Sequence, residues 1–223
     1  NGSNRTAILT LPFDFKFYGI EYDEITVSAD GWIAFGRTDM ASFRNYPIPG
    51  AGGPSPMIAA FWDDLKTGSN GDVYSYVTDE YVIIQWDYMR TYYNNSRNTF
   101  EIILYSNEAL EGPTITGDNE IKIQYYDFNN TSSGSYPAAG TPTHGCYATI
   151  GIENHLGNQG LQYTFNNQYS PSSMTLSDAD ALFITTGRAL FEQGDVNQDD
   201  AINVLDVVNL VNFVLNITNP TTI

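Results

Sequence analysis

The chain has 223 residues and a formal net charge of −17, with 26 acidic against 9 Lys and Arg side chains. Such a surplus repels nucleic acid and anionic membrane surfaces and argues against both as partners. A single cysteine, Cys146, excludes an internal disulfide, so stability rests on a core drawn from 42% hydrophobic and 14% aromatic residues. Scarce charge and abundant Asn, Thr, Ser, Gly and Tyr point to a secreted or cell-surface protein, bacterial in style.

Taken in chain order, the stretch LPFDFKFYG sets Leu11, Phe13, Phe15 and Phe17 against Pro12, Asp14, Lys16 and Tyr18. A period of two predicts a strand with one buried face. ITVSADGWIAFG places Asp30-Gly31 between two apolar runs, a strong hairpin signal. PMIAAFW is apolar throughout, as expected of a strand covered on both faces. DVYSYVTDEYVIIQWDYM predicts a second hairpin turning at Asp79-Glu80. Five further strands are expected in NTFEIILYS, NEIKIQYYDF, YATIGIEN, GLQYTFN and ALFITT. Longer loops cover Arg37 to Ser55 and Asn129 to Gly145, and loops of that length tend to carry function or move. Short strands separated by Gly, Asn and Pro turns, with no helical period, predict an all-β antiparallel sandwich over residues 1–188.

Residues 189–223 read differently. A carboxylate-rich loop feeds one very apolar helix in GDVNQDDAINVLDVVNLVNFVLN. Calcium takes six to eight oxygens, and an EF-hand loop supplies them from positions 1, 3, 5, 7, 9 and 12. Counted from Asp195, these are Asp195, Asn197, Asp199, the Ala201 carbonyl, Asn203 and Asp206, so every slot that needs a side-chain oxygen has one. Ile202 is the apolar residue that such loops turn inward, and Asp200 stands where a Gly usually makes the left-handed turn. The bland alternative is an acidic loop capping a helix. The helix itself, Val204 to Leu215 with Phe213 near its end, is apolar most of the way round. A helix of that kind is normally covered by something. It is too short and too interrupted by Asp and Asn to span a bilayer.

Catalytic sets are hard to assemble. His144 and Cys146 stand two apart but have no third ligand or orienting residue. Asp63 and Asp64 are adjacent, and adjacent strand residues point to opposite faces. They read as a strand end capping its own turn, with a cation site as the alternative. Tyr92-Tyr93, Tyr125-Tyr126, Tyr136 and Tyr169 could stack on sugars, though Tyr is also a good strand residue. No enzyme is expected.

Two resemblances bear on these residues. DVNQDDAINVLD, Asp195 to Asp206, resembles one repeat of a type I dockerin. That resemblance implies calcium binding. It does not imply cohesin docking, because dockerins carry two repeats and Val204 and Leu205 occupy positions that are often polar in recognition. The run Phe15, Phe17, Tyr18, Gly19, Tyr22, Ser28, Gly31, Trp32 and Phe35, followed by Phe61, Trp62, Asp63 and Asp64, resembles nidogen-like (NIDO) domains. It is also similar to sandwich modules of large secreted bacterial proteins. These likenesses imply a non-catalytic extracellular sandwich. The combined expectation is a calcium-stabilised structural, adhesion or assembly module that contacts itself or another extracellular protein through the terminal helix, with filament formation one outcome. The alternatives are a carbohydrate-binding module or an accessory domain of a larger secreted hydrolase.

Overall fold

A computed structural model describes residues 5–110, 113–133, 147–187, 196 and 202–215. The chain divides into two compact units, Asn1–Thr185 and Thr186–Ile223. Among the described residues the first unit holds β1 (Thr6–Phe17), β2 (Ile20–Ser28), β3 (Trp32–Phe35), β4 (Met57–Trp62), β5 (Leu65–Lys66), β6 (Asp72–Val77) and β7 (Tyr81–Thr91). It continues with β8 (Arg97–Tyr105), β9 (Ile121–Asp127), β10 (Thr149–Glu153), β11 (Gly160–Phe165), β12 (Gln168–Tyr169) and β13 (Ala181–Ile184). The second unit holds the helix α1 (Val204–Val214).

The strands form two antiparallel sheets, as the sequence led us to expect. One has the order β1-β2-β3-β4-β10-β11-β12; the other runs β13-β9-β8-β7-β5, with β6 also paired to β7. The period-two residues of β1 face inward: Leu11, Phe15 and Phe17 are buried, and Phe15 and Phe17 stack on Phe35 of β3 with ring centroids 5.1 and 4.5 Å apart. Aromatic contact also crosses between the sheets. Phe61 of β4 stacks on Phe100 of β8 at 5.5 Å, and within the second sheet Phe100 in turn stacks on its cross-strand partner Trp86 at 5.1 Å. Offset aromatic pairs add about 0.5–1.5 kcal/mol each beyond their buried area. Two buried hydrogen bonds tie the sheets: Tyr125 Oη donates to the Ala60 carbonyl and Trp86 Nε1 to the Ser28 carbonyl, both at 2.8 Å.

β4 is buried at every residue, because both of its faces are covered. One face meets the sandwich core. The other forms a second cluster with Trp32, Ala34, Met57, Ala59, Trp62, Ile48 and Tyr46. The long loop after β3 supplies that cover. The Ser42 carbonyl accepts both Trp32 Nε1 at 2.9 Å and Trp62 Nε1 at 3.0 Å. Glu153 of β10 then holds the loop's far end, accepting Ser55 Oγ at 2.6 Å and the Gly50 amide at 3.0 Å. The loop read as functional or mobile is therefore a packed layer.

The turns carry two departures from the sequence reading. Tyr18 and Gly19 join β1 to β2 with φ of 49° and 81°, the two positive values of a tight hairpin. A bulky residue in that position was not foreseen. The turn at Asp30-Gly31 has three residues between Ser28 and Trp32, which pair directly. Gly31 has φ 80°, and a Cβ there would lie 1.9 Å from the Phe61 carbonyl oxygen, so only glycine fits.

In the second unit, Asn203 and Asp206 make a reciprocal cap at the start of α1. The Leu205 amide donates to Asn203 Oδ1 at 2.8 Å, and the Asn203 amide donates to Asp206 Oδ2 at 2.7 Å. Among the described side chains of α1 only Asp206 is buried. Val204, Leu205, Val207, Val208, Leu210, Val211, Val214 and Leu215 are exposed by 47–73%. Ile202, expected inward, is also exposed. The described residues include no second helix that could cover this surface.

Candidate functional site

The most unusual chemistry in the sandwich lies where the β2–β3 turn meets the short junction between β4 and β5. Asp30 sits in that turn because Asp-Gly favours it, and an Asp in such a turn is ordinarily solvated. Here the chain 33 residues later passes directly against it. The Asp63 amide donates to the Asp30 carbonyl at 3.4 Å, and the Leu65 amide donates to Asp30 Oδ1 at 3.0 Å. Asp63 folds its own carboxyl back, Oδ1 accepting the Asp64 amide at 2.8 Å. This is the local turn bond that the sequence suggested for Asp63. Asp30 and Asp63 are respectively 0% and 2% exposed, and the second oxygen of each, Oδ2, is sealed from solvent without a hydrogen-bond partner.

The two carboxyls are therefore held on the amides of consecutive residues, whose Cα atoms are about 3.8 Å apart across a trans peptide. Burial pushes the Asp30 carboxyl up to about 7, against the pull of the Leu65 amide and with a further push from Asp64. Burial likewise lifts Asp63 to about 8, opposed by the Asp64 amide and aided by the charges of Asp64 and Asp30. Asp64 is raised by burial and drawn back by Lys66. That lysine turns away, donating to the Tyr92 carbonyl at 3.2 Å and lying 4.8 Å over the Tyr92 ring. The sequence reading weighed Asp63 only beside Asp64 and set that pair aside as badly placed. The neighbour of Asp63 in space is Asp30, which was read as a turn residue only, and the sole signal was an Asp-Gly turn whose contact lay 33 residues away. Among the described residues no three His, Cys, Asp or Glu side chains converge as a metal cage.

Of the six oxygens expected to hold calcium, Asn203 and Asp206 are described, and Asp195, Asn197, Asp199 and Ala201 lie outside the described residues. Asp206 reaches back across the loop. Its Oδ1 accepts the Val196 amide at 2.8 Å while Oδ2 takes that of Asn203. A carboxylate offers about four lone-pair sites, so both bonds leave capacity for a cation. His144, Cys146 and Tyr136 also lie outside the described residues. Tyr92, Tyr93 and Tyr126 are exposed, Tyr125 is buried and Tyr169 is intermediate. The six tyrosines therefore do not all offer faces to solvent. A groove of roughly 660 Å³ crosses the second sheet, lined by Gln85, Asp87, Tyr88, Glu101, Gln124 and Tyr126 among others.

Two antiparallel sheets around a packed aromatic core define an all-β sandwich module. The chain belongs to the NIDO-related family, whose sequence pattern matches residues 1–186. It is a family of nidogen-like, non-catalytic extracellular modules. The match ends before the acidic loop and α1. No solved structure matches the chain. Among the described residues no helix is long and apolar enough to cross a membrane.

Proposed function

We propose that this chain is a non-catalytic structural module of an extracellular assembly, secreted or displayed at the cell surface. In this reading Ca²⁺ orders its C-terminal segment, and that segment joins a second copy or another extracellular protein. The observation that supports it is the apolar surface of α1 and the Leu215 that follows it, eight Val and Leu side chains about half exposed or more. Monomeric proteins rarely leave such patches open. Fully burying a Val or Leu contributes about 1.5–3 kcal/mol, so part of this surface suffices to drive association. Asp195, Asn197, Asp199, the Ala201 carbonyl, Asn203 and Asp206 supply the calcium ligands, three of them carboxylates that repel one another when the loop is empty. The contact repeated head to tail gives a filament unless it closes into a ring. Light scattering and negative-stain microscopy, in calcium and in chelator, test the proposal. Assembly is expected in calcium and should be lost in Val208→Lys. A protein that stays monomeric at high concentration in both conditions overturns it.

A second reading is favoured by the groove on the second sheet. Exposed Tyr88 and Tyr126 beside Gln85, Gln124 and Glu101 supply a stacking face and planar hydrogen-bonding groups for a neutral glycan. A glycan array tests it, with binding that Tyr126→Ala abolishes as the expected result; an array with no hits removes this reading.

A further inference from the structure

We propose that the Asp30–Asp63 junction is a second cation site, for Ca²⁺, separate from the C-terminal loop and built into the sandwich itself. Two carboxyls are buried against consecutive peptide units, each with one oxygen on a backbone amide and one oxygen sealed without a partner. Buried polar atoms are nearly always satisfied, and each exception calls for a cause. Among the described residues neither aspartate has an ion-pair partner; the ion pairs there are Arg37–Glu24 and Arg97–Asp127. A cation between the carboxyls satisfies both.

The donors select the ion. Carboxylate oxygens are hard ligands, and Ca²⁺ accepts irregular geometry completed by backbone carbonyls and water, whereas Mg²⁺ demands a near-ideal octahedron. Two carboxylates make a weak site, in the range of roughly 0.1–1 mM typical of extracellular calcium modules. Its place in the fold gives it a purpose, because the ion clamps the β2–β3 turn to the β4–β5 junction across 33 residues of sequence.

The test uses the full chain carrying Asp195→Ala, which disables the C-terminal loop. The protein is refolded from urea either in EGTA or in millimolar CaCl₂ at pH 7.5, and its melting temperature is recorded. Calcium is expected to raise the midpoint by several degrees, more than equimolar Mg²⁺ does, and Asp63→Asn should abolish the rise. Terbium supplies a readout that does not depend on the variant folding. Trp62 precedes Asp63 directly, so Tb³⁺ bound there is sensitised on tryptophan excitation, and calcium competes the signal away. A midpoint identical in calcium and EGTA, a rise that survives Asp63→Asn, or no sensitised emission each overturns the proposal.

Discussion

The Asp63 amide donates to the Asp30 carbonyl at 3.4 Å, one of the contacts that bring two buried carboxyl groups to the same corner of the sandwich. With no cation present, their protonation makes stability depend on pH. Both are raised in the folded protein, to about 7 and about 8, from an ordinary aspartate value. Between pH ~4 and ~8 the folded state therefore binds protons that the unfolded state has released. The resulting stability is fully present near pH 4 and is lost as pH rises through 7 to 8. In EGTA, urea unfolding should show stability falling steadily as pH rises through that window. Asp63→Asn should flatten the profile and raise stability at pH 8. Asp39→Asn, at an exposed position, should leave its shape unchanged.

Gly31→Ala should be among the most damaging single changes in the sandwich. The added Cβ meets the Phe61 carbonyl at 1.9 Å in a backbone with φ 80°. Neither β3 nor β4 can retreat without opening the core, so a loss above ~3 kcal/mol is expected. Gly36→Ala is the control, since it also has positive φ but open space around it. Its loss should stay near 1 kcal/mol. Equal urea midpoints for the two variants would contradict this account of the turn.

Tyr125→Phe isolates a hydrogen bond between the sheets. The ring remains packed on Phe100 and Phe128, while the Ala60 carbonyl loses its hydroxyl donor in a buried position. Leaving a buried acceptor unsatisfied costs about 1–3 kcal/mol. The denaturant midpoint should fall with no change in the slope of the transition.

The cap on α1 gives a local prediction. Asn203→Ala removes the acceptor of the Leu205 amide, and losing such a cap destabilises a helix by about 0.5–2 kcal/mol. Amide hydrogen exchange should quicken in α1 while β4 and β8 keep their protection. Slower exchange in α1, or a change confined to the sandwich, would count against the capping role.

The alternation from Leu11 to Phe17, the continuous apolar run of β4 and the turn at Asp79-Glu80 were all legible in the sequence, because strand period and turn chemistry are properties of neighbouring residues. The spacing of oxygen-bearing side chains from Asp195 to Asp206, on which the proposed calcium loop rests, is likewise a local count along the chain. The burial of Asp30 was not. Asp-Gly marks a turn, but whether that turn meets water or another segment depends on where β4 ends, and nothing within ten residues records it. The cover over Trp32 and Trp62 by the loop carrying Ser42 has the same character. Loop composition predicts a connection, and only the folded sheet offers the indole donors that hold it down. Local preference thus determined which strands and turns form, while contacts distant in sequence decided which polar groups those strands and turns enclose.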